Sequence, residues 1–427
     1  MVAEASDRLL AEAIEKIFAA FGGIRVALPG RSQVFVKPNA ANFAPYASTS
    51  PQVLSATLAY LRDHGYDQLR VMDSSGPGLF TRLVFHALGY DRICKRFGAR
   101  PIYLDERRTM SIALDGGSEP VDIPRLLYEE FIVRKGQNSY LSLPKLKTHE
   151  MTTVSLNLKG QQAFVRDRDR GRDHNRRLHF HLVNLYRLMK PDFAIVDGLL
   201  ALSHGHHPPA AFRHQCQVHT NVLIGGQDAL AVDAVGSHIL GYTTDEVEHL
   251  KLATEAGLGT ADLKRIQIIG DVSRFTAKLP HQLLGRLPTD VEIVEGREQA
   301  CMEGCKGSVL WALELLHNDF GGHGGFSVVF GQGLDRTRLE GLKGDILLVG
   351  RCAIAEAQSV LHDLYPDRRI YVVQEHYNPT GLTIQLCRLM GISPSRLIPL
   401  TRLKATWLLW QAKLNGLDTA FPFLGDN

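Results

Sequence analysis

A chain of 427 residues exceeds what one hydrophobic core usually serves, so two domains are expected. With 44% hydrophobic and 22% charged residues and a formal charge of only +3, it is neither disordered nor polyionic, which excludes a nucleic-acid partner held by bulk charge. Six cysteines are too few for a secreted disulfide framework, and no apolar run approaches the roughly 18–20 residues of a membrane span, so a cytoplasmic protein without a nucleic-acid or membrane partner is expected.

The opening MVAEASDRLLAEAIEKIF mixes acidic and apolar residues at helical spacing and lacks the basic and apolar regions of a secretory leader. A helix over about 3–20 leads to the strand VFVKPN (34–39). Pro51 and Gly65 bound a helix, and LRVMDSSG (69–76) reads as strand then turn, followed by a helix near 79–89. Strands are expected at 101–104, 140–143, 193–198, 222–226 and 265–271, with helices over 228–241 and 245–257. The run RDRDRGRDHNRR (166–177) reads as a mobile, solvated surface excursion. Residues 272–300 have weak periodicity and read as a connector. Beyond it, strands 326–330, 345–350, 369–374 and 396–400 alternate with helices over 306–317, 354–364, 380–390 and up to about 415. The expected class is α/β: two doubly wound, largely parallel sheet domains, 1–271 and the smaller 301–427, joined by 272–300.

Ligands of open α/β sheets bind outside the carboxyl ends of the strands. Polar groups recur at those ends: Lys37-Pro38-Asn39, Asp73-Ser74-Ser75, Pro144-Lys145, Asp197-Gly198. A lysine after a buried strand is costly to desolvate unless it meets an anion, so Lys37, Lys145 and Lys147 either converge on a small anionic substrate or pair with Asp73, Asp197 or Asp228. His149 is the candidate general acid or base. The loop LSHGHHPPAAFRH offers His204 and His206 as metal ligands, against the plainer reading of a solvent or substrate loop.

The stretches VFVKPN, LPKLKTHEMTTVSLNLKG, DFAIVDGLLAL and VLIGGQDALAVDAVGSHILG follow one another in the order seen in the domain of unknown function 362 family, which this chain resembles over about 30–270. The resemblance implies an α/β domain in which Lys37, Asn39, Lys145, Lys147, His149, Lys159 and Asp197 line one site; Asn157, in the same polar stretch, is a further substrate-binding candidate. It departs after Asp197-Gly198, where the family's acidic loop is replaced by the histidine-rich one.

In the C-terminal part, CMEGCKG and GRCA place Cys301, Cys305 and Cys352 at one sheet edge, with His376 ending the next strand. Thiolates select zinc or iron–sulfur clusters. Family members often carry such cysteine sets, but here QEHYNP stands where a last cysteine is usual, leaving three thiols and His376. The leading expectation is an iron–sulfur or other metal-dependent oxidoreductase acting on a small anionic substrate, with an electron-transfer partner; zinc or another transition metal is the alternative cofactor. The alternative functions are a metal-assisted isomerase or racemase and a non-catalytic metal-binding or carrier protein.

Overall fold

The computed structural model describes residues 1–30, 32–114, 119–419 and 421–424. In chain order its strands are β1 (Val2–Glu4), β2 (Val34–Pro38), β3 (Leu69–Asp73), β4 (Arg100–Tyr103), β5 (Thr109–Ile112), β6 (Val121–Pro124), β7 (Ser139–Leu143), β8 (Lys145–His149), β9 (Thr153–Ser155), β10 (Phe193–Leu202), β11 (Gln217–Gly226), β12 (Glu292–Glu295), β13 (Ser327–Phe330), β14 (Ile346–Val349) and β15 (Ile370–Val373). Strands β5 and β6 form a separate hairpin. The protein is α/β: a large mixed sheet and a smaller, wholly parallel one, each flanked by helices.

The large sheet runs β1-β11-β10-β7-β2-β3-β4. Strands β10, β7, β2, β3 and β4 are parallel, as their apolar runs predict. The other edge is antiparallel: β10 and β11 are ten-residue strands joined directly by the histidine loop, and without a crossover helix the chain can only return antiparallel. Cores of Ile, Leu, Val and Phe pack on the two faces of this sheet.

Pro144 splits what would be one strand into β7 and β8. It has no N–H to give the ladder, but its carbonyl accepts the Asp197 N–H at 2.8 Å, so β10 pairs first with β7 and then with β8. The period-two alternation of a strand then puts Lys145, Lys147 and His149 on one face of β8. Leu146 goes to the core on the other face.

Lys145 is the root of that row. Its ammonium, 1% exposed, lies 3.0 Å from an Asp197 carboxylate that is 0% exposed. The same carboxylate oxygen accepts the Ser50 N–H and hydroxyl at 2.7 Å, at the start of the helix Pro51–Asp63. This is a fully satisfied ion pair that ties β8 and β10 to a helix N-terminus.

The second sheet is β12-β13-β14-β15, with helix Cys305–Phe320 after β12 and helix Arg351–Leu364 after β14. Separate apolar clusters line its two faces.

Four expectations need correction. Residues 265–271 form no strand, because turns and bends replace the expected ladder. The end of the supposed connector, Glu292–Glu295, is the first strand of the second sheet. Residues 396–400 contain no strand, since Pro394 starts a single 3-10 turn there. The arginine and aspartate run is no solvated excursion: Asp167–Asp173 is a helix with Asp169, Arg170 and Asp173 buried.

Replacing Asp197 with Asn should lower the unfolding free energy by roughly 3–5 kcal/mol, because it strands a buried ammonium. The double replacement Lys145→Met, Asp197→Leu should recover part of that loss, and denaturant titration of the two variants is the check.

Candidate functional site

A cavity of about 530 Å³ opens at the carboxyl edge of the large sheet, closed on its far side by the helices that follow the second sheet's strands. One wall carries Lys37, Asn39, Lys147, His149, Lys159, Arg170, His174 and His206; the other is apolar, with Phe43, Leu79, Trp311, Phe320, Ile398 and Phe423. Such a site suits a ligand with a charged head and an apolar body.

The cations of the polar wall are held in different ways. Lys37 is paired with Asp73 at 2.9 Å. Arg170 donates to the Ser75 and Val165 carbonyls and the Ser74 hydroxyl at 2.6–2.7 Å, with Asp167 3.4 Å away. Lys147, 2% exposed, has only neutral acceptors: Asn39 Oδ1 at 2.9 Å, the Ala47 carbonyl at 2.7 Å and the His206 carbonyl at 3.3 Å. Burial, reinforced by the charge of Lys159, pushes Lys147 down to about 7. Lys159 has no hydrogen-bond or ion-pair partner among the described residues. Burial pushes it down to about 8; Glu150 opposes that shift, and Arg170 and Lys37 add to it.

Beyond the lysines lies a group of two imidazoles and a carboxylate. The His149 and His206 rings stack at 4.8 Å, and Glu150 accepts from His206 Nδ1 at 2.8 Å and from the His206 backbone N–H at 3.0 Å. Burial would push the Glu150 carboxyl up, but the neighbouring imidazoles of His206 and His149 and the hydrogen bonds from His206 hold it well below the usual carboxylate range. Burial keeps His149 neutral. The hydrogen-bond partners assign the tautomers: Glu150 accepts from His206 Nδ1–H, leaving Nε2 of His206 as an acceptor. His149 Nδ1 accepts the Met151 N–H at 3.2 Å, leaving Nε2–H as a donor.

Among the described residues, these three are the one group of His, Cys, Asp or Glu whose ligand atoms all lie within 4.8 Å of one another. They could hold a divalent ion only by giving up the hydrogen bonds just described, beside two lysines whose charge opposes it.

The structure brings Lys37, Asn39, Lys147, His149, Lys159 and His206 to the cavity. Lys145 and Asp197 do not line it, being spent on each other. Asn157 does not either: its N–H and side-chain amide bind Asp233 at 3.0 and 2.6 Å. His204 is turned aside, its φ of 61° reversing the chain and its ring bonded to the Ser203 hydroxyl at 2.9 Å. It thus takes no part with His206. Gly205 explains the HGHH motif, since a methyl group there would meet Glu150 Oε2 at 2.8 Å. The loop can drop His206 on to Glu150 only over a glycine.

Sequence reasoning missed Glu150, Arg170, His174, Trp311 and Tyr377. Glu150 adjoins His149, and Arg170 and His174 are four apart in the sequence; those were the available signals. His174 stacks on Tyr377 at 3.6 Å between ring centres.

Cys301, Cys305 and Cys352 gather where β14 meets the start of helix Cys305–Phe320. A methyl group on Gly350 would sit 3.7 Å from Cys305 Sγ and 4.0 Å from His376 Nδ1. Burial, then the nearby Cys301 charge, pushes the Cys305 thiol up to about 11. These donors do not form a group placed to hold one metal ion among the described residues, whereas sulfurs around one tetrahedral zinc are about 3.8 Å apart. The set as it stands fits a single small ion poorly.

An α/β protein with a cationic strand-edge cavity is thus defined by fold and site. Residues 34–238 match the family described as Domain of unknown function (DUF362). No curated protein matches. A crystal structure of a protein from Thermotoga maritima is similar at 10% identity with a TM-score of 0.37, covering 89% of this chain and 82% of that one, a likeness too distant to bear on function.

A lysine whose folded pKa lies below its unfolded value near 10.4 makes the unfolded state bind more protons between the two, so stability rises with pH in that window. With Lys147 at about 7 and Lys159 at about 8, the unliganded protein should gain thermal stability from pH 7 to 9. The gain should shrink in Lys147→Met and Lys159→Met, as melting curves across that range would register.

Proposed function

We propose that the protein is an enzyme that binds a small anion with an apolar body and moves a proton on it. The observation that carries this reading is Lys159: a half-buried lysine, without a partner among the described residues, facing a cavity already lined by Lys37, Lys147 and Arg170. A desolvated cation in that position is costly unless an anion joins it. A carboxylate or phosphate head meets the lysines, and the tail lies along Trp311, Phe320 and Ile398.

His206 Nε2, with Glu150 behind it, takes a proton from the carbon beside the head, in the manner of a histidine oriented by a carboxylate. The electron pair left on carbon delocalises into the head, where Lys147 and Lys159 stabilise the added charge. Return of that proton from the His206 imidazolium to a neighbouring carbon completes an isomerisation and restores His206, while the neutral His149 Nε2–H beside it donates a hydrogen bond to the head.

A second reading, redox chemistry with an electron-transfer partner, draws support from the grouping of Cys301, Cys305, Cys352 and His376. An iron–sulfur cluster held there would supply one-electron chemistry. Iron and acid-labile sulfide in anaerobically purified protein, lost in Cys305→Ser, would favour it over proton transfer alone.

Calorimetric titration with aliphatic and aromatic carboxylates and phosphates tests the main reading. Lys159→Met should weaken binding by about tenfold to a hundredfold, the worth of a hydrogen bond to a charged group. His206→Asn should retain binding and stop deuterium uptake from solvent into the bound ligand. Undiminished affinity in Lys159→Met would overturn the proposal.

A further inference from the structure

The helix Arg402–Leu414 is apolar on two opposite sides. Ala405, Leu408 and Ala412 are buried against Leu83, Ile398 and Phe423. On the outside, Leu403 is 87% exposed, Trp407 51%, Trp410 53% and Leu414 67%, and the two indoles stack at 5.1 Å. The remaining exposed large apolar side chains among the described residues lie elsewhere in the chain. At about 100° per residue the four outer side chains fall within an arc of about 60°, directly opposite the buried stripe. Arg402 and Lys413 lie about 90–110° to one side of the centre of that arc and Lys404 about 90° to the other.

A contiguous outer stripe of this kind marks an interaction site rather than ordinary surface. Charge decides the occupant. From residue 377 to 417 the chain has Arg388, Arg396, Arg402, Lys404 and Lys413 and no Asp or Glu. Indoles and leucines flanked on both sides by cations match a lipid surface, where the rings sit at headgroup level and the cations meet anionic lipid. No helix among the described residues is long and apolar enough to cross a membrane. This one would be about 20 Å long against a hydrocarbon core of about 30 Å, so it would lie on the surface.

We propose that the helix Arg402–Leu414 docks the protein on anionic membrane surfaces, contrary to the absence of a membrane partner expected from composition. Ile398 and Phe423 pack under the helix and also line the cavity, so the docked face lies beside the cavity's apolar wall. The docking does not depend on what the cavity binds.

Flotation of the full chain with phosphatidylglycerol vesicles, and separately with phosphatidylcholine vesicles, tests this. The protein should float with the first and not the second. Tryptophan emission should shift to the blue on binding, which is readable because the chain has only three tryptophans. Trp407→Gln with Trp410→Gln should cut partition by more than about tenfold and abolish the shift, with an unchanged melting temperature. Lys404→Glu with Lys413→Glu should remove the preference for phosphatidylglycerol. If the tryptophan variant fails to fold, Leu403→Gln with Leu414→Gln replaces it and should show the same loss of partition. A wild-type chain that stays unbound overturns the proposal. So does one that self-associates through the tryptophans without binding vesicles, which would make a second copy the occupant.

Discussion

Desolvating several positive charges along one sheet edge is the constraint around which this molecule is arranged. Lys37 and Lys145 meet it with buried carboxylates, Asp73 and Asp197. Lys147 meets it with neutral oxygens, and Lys159 is left with no partner among the described residues. The gradient follows the row of side chains on β8: a structural ion pair at its root, a lysine with lowered proton affinity next, and a neutral imidazole at its end. Progress along one strand is thus progress from scaffold to cavity wall.

The second sheet matters because its helices cover the cavity. Trp311 and Phe320 on helix Cys305–Phe320, with Tyr377 beyond β15, complete the cavity over the lysines. Trp311 also donates to the His207 carbonyl at 3.0 Å, pinning the histidine loop that carries His206. Without that cover the lysines would be hydrated and their proton affinities ordinary.

Much of this was legible in the sequence, and the failures have physical causes. Strand ends and the lysine-histidine block locate the cavity because alternation and the strand-edge rule are local properties. Which lysine faces a carboxylate is a tertiary property: Lys145 and Lys147 look alike in LPKLKTHE, yet only Lys145 has Asp197 opposite it in register. The run around Arg170 misled because its charges imply solvent, whereas carbonyls and hydroxyls from Ser74, Ser75 and Val165 satisfy the guanidinium inside the protein. Similarly, HGHH suggested paired ligands, but the left-handed turn at His204 sends neighbouring histidines different ways.

The central claim is that Lys147 and Lys159 are desolvated cations awaiting an anion. Titration of the lysine side chains by nitrogen-15 and carbon-13 magnetic resonance reads this directly, with Lys147→Met and Lys159→Met assigning the signals. The account predicts that the unliganded protein shows one lysine titrating near 7 and another near 8, and that both move upward when a carboxylate or phosphate ligand is added. Ordinary values near 10.4 for both, unmoved by any such ligand, would contradict it.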